Sequence, residues 1–321
     1  MNSIRIAVVG AGAFGRNHLR VLRESPRASL VAAVDIDAEK AEQAAAEFGC
    51  AALRDWRELA GQADAAVVAT PTCAHAEAGC GLMEAGIDVL VEKPIAADMA
   101  SANNLVSTAS RRGRILQVGH LEGFNPAITA LRQMVTLPLF FEIHRLSLFT
   151  PRSLDVDVVL DLMIHDIDIV LWLTGLMPQE IRAAGISVLS PKVDIANVRL
   201  AFATGCVANL TASRVSTERV RKLRLFQPSQ YVSLDYQRQD AVCCQVSGDR
   251  QIGFAPLAVQ KDEPLKLELE AFLDAVRTRQ TPLLDGARAT RALQVAREIL
   301  VRIEEHAEVV AQSVSALPRT S

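Results

Sequence analysis

Apolar residues fall in two rhythms along the chain, and the change of rhythm near residue 120 divides it. Before that point, short, largely apolar runs at 4–9, 30–34, 65–69, 87–91 and 115–118 alternate with segments whose apolar positions recur every three or four residues. The runs are apolar on both faces, as buried parallel strands are. The intervening segments predict helices after Gly15 and over 38–48, 75–85 and 98–112, with a short helix at 55–60. Gly86 and Gly113 supply stops, and Asp98 is placed to cap the start of its helix. Such alternation implies a parallel sheet covered on both faces, with ligands gathering at the carboxyl ends of its strands.

Past residue 120 the pattern predicts a helix at 127–134, a strand at 139–148 and a long helix at 155–173 closed by Gly175. Strands near 181–189, 197–203, 207–213, 223–226, 232–236 and 242–246 then follow one another without helices, and helices at 265–279 and 287–305 finish the pattern. The expectation is an α/β chain of two domains. Residues 1–120 form a doubly wound parallel sheet, and residues 121–321 form an α+β domain with a largely antiparallel open sheet.

Composition narrows the function classes. Half of the 321 residues are apolar, ample for two cores. A net charge of −3 offers no bulk attraction to nucleic acid or to acidic membranes. The longest apolar stretch, 156–173, contains Asp157, Asp161, His165, Asp166 and Asp168, too many ionisable groups for a membrane span. Met1 leads almost at once into the first strand, with no leader pattern. The six cysteines form no C-x-x-C pair and have no zinc spacing, so reduced thiols in a cytoplasmic protein without a metal are expected.

The chemistry begins where the first strand ends. Gly10-Ala11-Gly12-Ala13-Phe14-Gly15 is a G-x-G-x-x-G turn between a strand and a helix, the order a dinucleotide site requires. The first glycine permits the turn, the second lets backbone N–H groups approach a pyrophosphate, and the third lets the helix pack on the strand. Asp35 ends the second strand twenty residues beyond Gly15, where an acid meets the ribose hydroxyls of NAD. Asp35 and Asp37 would repel a 2′-phosphate, so NAD is expected over NADP. Gly10, Gly12, Ala13, Phe14, Gly15 and Asp35 are therefore the first cofactor-binding candidates of a Rossmann domain. Thr70, Pro71 and His75 after the third run, and Glu92 and Lys93 after the fourth, join them.

Lys93 sits between Glu92 and Pro94, which restricts it to extended backbone and aims its ammonium into the crevice. There it could donate to a substrate hydroxyl. Asp161 and His165 lie at an i, i+4 spacing in an apolar helix, on one face. A buried Asp and His are costly unless paired or functional, and a satisfied core network and an acid–base pair both fit.

The glycine-rich turn, Glu92-Lys93-Pro94 and Asp161-x-x-x-His165 together resemble the Gfo/Idh/MocA (glucose–fructose oxidoreductase/inositol dehydrogenase) family over nearly the whole chain. The resemblance implies that Lys93, Asp161 and His165 are catalytic, with His165 taking a hydroxyl proton while hydride passes to the cofactor. It also implies a homodimer or homotetramer built on the outer face of the second sheet. Val118-Gly119-His120-Leu121-Glu122-Gly123-Phe124-Asn125-Pro126 resembles a segment of bacterial sugar-nucleotide dehydrogenases, as do residues 157–168 and 212–216. This narrower likeness implies NAD-dependent oxidation of a UDP-sugar, at the 3-hydroxyl of UDP-N-acetylglucosamine, as in the making of 3-amino sugars for lipid A. A free-sugar or inositol dehydrogenase and a non-catalytic NAD- or sugar-sensing regulator are the alternatives.

His120, Glu122 and Asn125 are expected to line the substrate pocket with Lys93, Asp161 and His165. Gly123 stands where those dehydrogenases carry an Arg. Arg145, Arg152, Arg214, Arg219, Arg221, Lys222 and Arg224 are candidate counter-charges for a diphosphate, or simply a solvated basic face. His18, His144 and His306 carry no signal of function.

Overall fold

The computed structural model describes residues 3–149, 156–246 and 251–315, and the chain divides into two units. The first takes the residues up to Phe124 together with Asp262–Thr290. Its six strands are β1 (Ile4–Val9), β2 (Ala28–Val34), β3 (Ala51–Leu53), β4 (Ala65–Val68), β5 (Asp88–Glu92) and β6 (Leu116–Gly119). They lie in the order β3-β2-β1-β4-β5-β6, with every neighbouring pair parallel. The direction of winding reverses between β1 and β4, the switch point at which open α/β sheets leave a crevice.

The connecting helices are α1 (Ala13–Glu24), α2 (Ala38–Phe48), α3 (His75–Glu84) and α4 (Met99–Arg112). Asp37 and Asp98 cap α2 and α4 by accepting backbone N–H groups of the first turn, and Gly49 and Gly113 close these helices in the left-handed conformation. The short helix expected at 55–60 is a 3-10 turn, Trp56–Leu59, with a capping box from Asp55 and Glu58. β3 has no counterpart among the expected strands, because three residues carry no usable alternation.

The expected division into 1–120 and 121–321 sets the boundary a few residues before Phe124 and assigns 262–290 to the other unit. After Lys261 the chain returns to the first unit as a helix of fifteen residues, Pro264–Thr278. Its Leu265, Leu269, Phe272, Leu273 and Val276 share a buried cluster with Ile6, Val8, Leu19, Leu22 and Leu90. Arg27 pairs with Asp274 and Arg279 with Asp88, fastening both ends of the contact. The helical period shows that this segment buries a face, but not which sheet it covers.

The second unit takes Asn125–Lys261 and the residues from Arg291 on. Its helices are α5 (Pro126–Met134) and α6 (Ile164–Thr174); the helix Pro264–Thr278 above is α7, and α8 (Gly286–Ser315) joins this unit from Arg291. Its eight strands are β7 (Phe140–Leu148), β8 (Glu180–Ile186), β9 (Ile195–Ala201), β10 (Val207–Ser216), β11 (Val220–Gln227), β12 (Gln230–Asp235), β13 (Asp240–Val246) and β14 (Ile252–Pro256). They run β14-β13-β12-β11-β7-β10-β9-β8, all antiparallel except the β7/β10 pair. One face of this sheet is buried under α6 and α8: Phe141, Ile143, Leu210, Leu223 and Leu225 cluster with Ile167, Val170, Val295 and Ile299. β14 was not expected; all five of its residues are exposed, so no apolar face marks it. Residue 155, where the long helix was expected to start, lies outside the described residues.

Two buried ion pairs brace this unit. Arg145 donates through Nε and Nη2 to both oxygens of Asp166, each at 2.8 Å. Arg214 donates from Nε to Asp194 Oδ1 at 2.8 Å and from Nη1 to the Val156 carbonyl at 2.6 Å. Asp194 also accepts the N–H groups of Val188, Leu189 and Ser190, tying down the loop between β8 and β9. Burial alone would raise the Asp194 carboxyl, but these N–H groups, the Ser190 hydroxyl and Arg214 outweigh it and hold the acid well below the usual carboxylate range. Among the described residues no helix is long and apolar enough to cross a membrane.

Two stability effects are expected. Phe272→Ala, at a fully buried position, should cost the first unit about 3–5 kcal/mol in urea unfolding; a loss below about 1 kcal/mol would mean that α7 is not part of that core. Asp194→Asn leaves Arg214 buried without its charge partner and should cost about 3–5 kcal/mol at neutral pH. A carboxyl held low in the folded state stabilises above its unfolded value of about 3.9 and loses that contribution as pH falls through the folded value. Melting curves of wild type and variant should therefore converge on acidification below about pH 4, and a constant gap down to about pH 2 would contradict the assignment.

Candidate functional site

In the first unit, the crevice at the switch point is a cavity of about 920 Å³. Gly10, Gly12, Ala13 and Phe14 form one wall, Asp35, Ile36, Asp37 and Lys40 a second, and Ala69, Thr70, Pro71 and Cys73 a third. The glycines do different jobs. A Cβ on Gly15 would fall 1.7 Å from the Gly10 carbonyl oxygen, so α1 reaches this close to the turn only with glycine there. Gly10 has φ of +99°, and a Cβ on it would meet Ala69 O at 2.5 Å. Gly12 faces open space, with nothing within 4 Å. It stands at the N-cap of α1 without a side-chain cap, so the first N–H groups of the helix are left for an anion. This cradle fits a dinucleotide pyrophosphate.

Asp35 is held in place by the backbone. Its Oδ2 accepts the Ala11 N–H at 2.8 Å and its Oδ1 accepts the Asp37 N–H at 3.0 Å. The acid thus links the glycine turn to the end of β2. Of the other cofactor candidates, Thr70 and Pro71 line the cavity, while Gly15, His75, Glu92 and Lys93 do not. Sequence reasoning missed Lys40, Arg54, Trp56 and Arg57, which complete the rim. Arg57 covers the Trp56 ring with its guanidinium 4.4 Å from the centroid.

Behind the cavity, His75 is 1 % exposed. Its Nδ1 lies 3.0 Å from the Pro94 carbonyl and its Nε2 lies 2.9 Å from the Thr70 carbonyl, so the ring bridges the two loops that follow β4 and β5. Burial lowers its proton affinity; the two carbonyls and the charge of Glu92 act against that. Glu92 is itself buried. Its Oε1 lies 2.7 Å from His18 Nε2 and its Oε2 accepts the Lys93 N–H at 3.2 Å. His18, expected to be ordinary, is fully buried and bonded to the acid that precedes Lys93. The helical period could show that His18 is on a covered face, but not that Glu92 lies opposite.

The loop after β6 brings buried His120 and Glu122 into the first unit. Gly123 packs against Leu284, which a Cβ would approach to 3.1 Å. Asn125 opens the second unit, where its side chain caps α5 through the Ala127 N–H and donates to the Tyr236 carbonyl at 3.0 Å.

In the second unit, Asp161 lies in a π-helical turn, Val159–Met163, and His165 in the first turn of α6. One unbroken α-helix was expected here. Such turns widen the helix and recur at functional sites. Asp161 is partly exposed and His165 is 7 % exposed; Asp168 is buried. The segment is anchored ahead of the turn: Val193 N–H donates to Asp157 Oδ1, and Val158 N–H to the Val193 carbonyl. Arg145 and Arg214, candidates for a diphosphate, are instead committed to Asp166 and Asp194. Their sign was legible, their partners were not. Arg224 is exposed and donates to Glu142, and Arg152 lies outside the described residues. Among the described residues no group of three His, Cys, Asp or Glu side chains is placed to hold a metal.

Both parts of the chain match known proteins. Residues 4–120 match the model of an oxidoreductase family with an NAD-binding Rossmann fold, and residues 144–227 match the Gfo/Idh/MocA C-terminal domain. The chain is 35 % identical over 313 residues to UDP-N-acetylglucosamine 3-dehydrogenase from Acidithiobacillus ferrooxidans, covering 95 % of this chain and 98 % of that one. A crystal structure of that enzyme superimposes with a TM-score of 0.89 over 95 % of this chain and 99 % of its own. Inositol 2-dehydrogenase 4 from Saccharopolyspora erythraea is 34 % identical over 194 residues, 57 % of this chain and 56 % of that one. With the nucleotide cradle, the two-unit architecture and these matches together, the chain belongs to the Gfo/Idh/MocA family of NAD-binding oxidoreductases.

Proposed function

We propose that the protein is an NAD-dependent dehydrogenase of a nucleotide sugar, oxidising the 3-hydroxyl of UDP-N-acetylglucosamine to the 3-keto sugar. The likeness to UDP-N-acetylglucosamine 3-dehydrogenase carries this reading, because it runs the length of both chains while the inositol dehydrogenase match covers little more than half. The keto product suits an aminotransferase that makes a 3-amino sugar for lipid A.

NAD, which the glycine turn and Asp35 would hold, would supply the acceptor for the hydride leaving the alcohol carbon. His165 accepts the hydroxyl proton as that carbon loses its hydride. Asp161 orients the imidazole, and the role read for Lys93 is to donate to a substrate hydroxyl and oppose the build-up of alkoxide charge. Asp35 holds the ribose hydroxyls of NAD. The near-complete burial of His165 keeps bulk water from competing for its ring.

One observation favours a second reading, a free polyol as substrate. Arg145 and Arg214, two of the cations a diphosphate would call on, are bound in buried ion pairs. For the assembly, the exposed face of the second sheet supports a homodimer or homotetramer. Phe140, Phe226, Tyr231, Cys244 and Phe254 stand opposite one another across five neighbouring strands. Phe226 stacks on Tyr231 with centroids 4.7 Å apart, an aromatic ridge suited to a matching copy. A cytoplasmic setting fits the six unpaired cysteines.

Incubation with NAD and a panel of UDP-sugars, free sugars and inositols should yield NADH absorbance with UDP-N-acetylglucosamine. Turnover with polyols alone would favour the second reading, and NAD binding without turnover a sensor. His165→Ala should lower kcat by about 10²–10⁴-fold while NAD affinity, measured by titration, stays within about twofold; a matching loss of NAD affinity would remove His165 from the substrate side. Asp35→Ala should weaken NAD binding by about tenfold and narrow the preference over NADP. An unchanged NAD/NADP ratio would show that Asp35 does not read the ribose.

A further inference from the structure

Glu92, which holds the Lys93 N–H, belongs to a group of buried titratable side chains that the proposed chemistry does not use. Glu92 comes from β5, His18 from α1 and Glu268 from α7. Glu268 is wholly buried, and neither of its carboxyl oxygens has a hydrogen-bond partner. Glu92 is closely confined. His18 holds one oxygen and the Lys93 N–H the other. On the β6 side, a Cβ on Gly119 would stand only 2.9 Å from the Glu92 carboxyl atoms. His75 on α3 feels the charge of Glu92, and the 3-10 turn Leu121–Phe124, which packs on α7, carries buried Glu122.

We propose that Glu268, Glu92 and His18 form one positioning unit for Lys93, in which Glu268 stays the neutral acid and Glu92 bears the single negative charge that holds the Lys93 N–H. An ionised carboxylate without a donor is the costliest state of a buried acid, and a neutral acid costs far less. Burial first, and the charge of Glu92 second, raise the Glu268 carboxyl well above its ordinary value. Loss of that proton would set a second negative charge against Glu92. Glu92 has no slack toward β6 or α1, so the strain passes to the Lys93 turn. Glu268 touches neither the cofactor cavity nor the reacting atoms, so its role is to place another residue. The inference rests on the proposed function only in treating Lys93 as a substrate-side group.

The sign of the pH effect follows from the direction of the shift. A carboxyl whose folded affinity is raised above the unfolded value of about 4.3 contributes most below that pH, and its contribution falls as pH rises through the folded value. Glu268→Gln has the same shape and never ionises. Thermal unfolding from about pH 5 to about pH 9.5 should therefore fall more steeply for wild type than for Glu268→Gln. Glu92→Gln should flatten the wild-type slope as well, because it removes the opposing charge. A second readout follows Lys93 directly. Its acylation by a water-soluble succinimidyl ester, measured by peptide mass spectrometry against exposed Lys222, should change by about threefold or more across that range in wild type but not in Glu268→Gln.

Coincident slopes and coincident labelling ratios in wild type and Glu268→Gln would overturn the proposal. Should Glu268→Gln not fold, Glu268→Met is also uncharged and serves the same comparison, and the Glu92→Gln arm stands without either. None of these measurements needs a substrate. Absent turnover with the expected pH behaviour would therefore count against the proposed reaction and not against this cluster.

Discussion

The nucleotide half of this protein depends on one close approach. Helix α1 sits so near the exit of β1 that a single methylene at Gly15 would strike the Gly10 carbonyl. The approach sets the uncapped end of the helix over the crevice, with its N–H groups and the positive end of its dipole aimed at one spot. Gly10 then turns with positive φ beneath the end of β4, and Asp35 ties the turn to β2 through the Ala11 N–H. Three strand ends are thereby tied around one cavity by bonds within the protein. Such preorganisation lowers the ordering cost of binding a long flexible cofactor.

The second unit solves a different problem, the placing of polar side chains inside an apolar helix. The segment carrying Asp161 and His165 is bracketed by ion pairs that burial alone would make unfavourable. Arg214 reaches the Val156 carbonyl on one side of the π turn, and Asp166 holds Arg145 on the other. Each pair is held by several hydrogen bonds, the condition under which buried ions are tolerated. The Arg145 guanidinium also lies over the Tyr236 ring, 5.0 Å from its centroid. The widened turn leaves Asp161 partly open while His165, four residues on, is nearly covered.

Much of this was legible from residue order. Strands β1, β2, β4, β5 and β6 announce themselves as short apolar runs, because a parallel strand buried on both faces has no polar side. The cradle and Asp35 are legible because their chemistry is local and their spacing is set by one strand–helix–strand unit. What stayed hidden depends on partners distant in the chain. Arg54, Trp56 and Arg57 reach the cavity only because three-residue β3 lies beside β2 in the sheet. His18 finds Glu92 across 74 positions, and Glu268, on a helix that returns after Lys261, feels the charge of Glu92. The basic residues show the same limit. Arg145 and Arg214 declare a charge, whereas only the folded chain reveals that Asp166 and Asp194 already neutralise it.

The return of α7 has a consequence for how the protein comes into being. Leu269, Phe272 and Leu273 complete the core around Ile6, Val8 and Leu19, so the half that is synthesised first lacks one wall until more than 270 residues have been made. During translation the nascent chain must carry that gap while the whole intervening sheet emerges from the ribosome. Contacts so remote in order are slow to form and expose apolar surface meanwhile. A chaperone would therefore meet the early half of this chain with its unfinished face open.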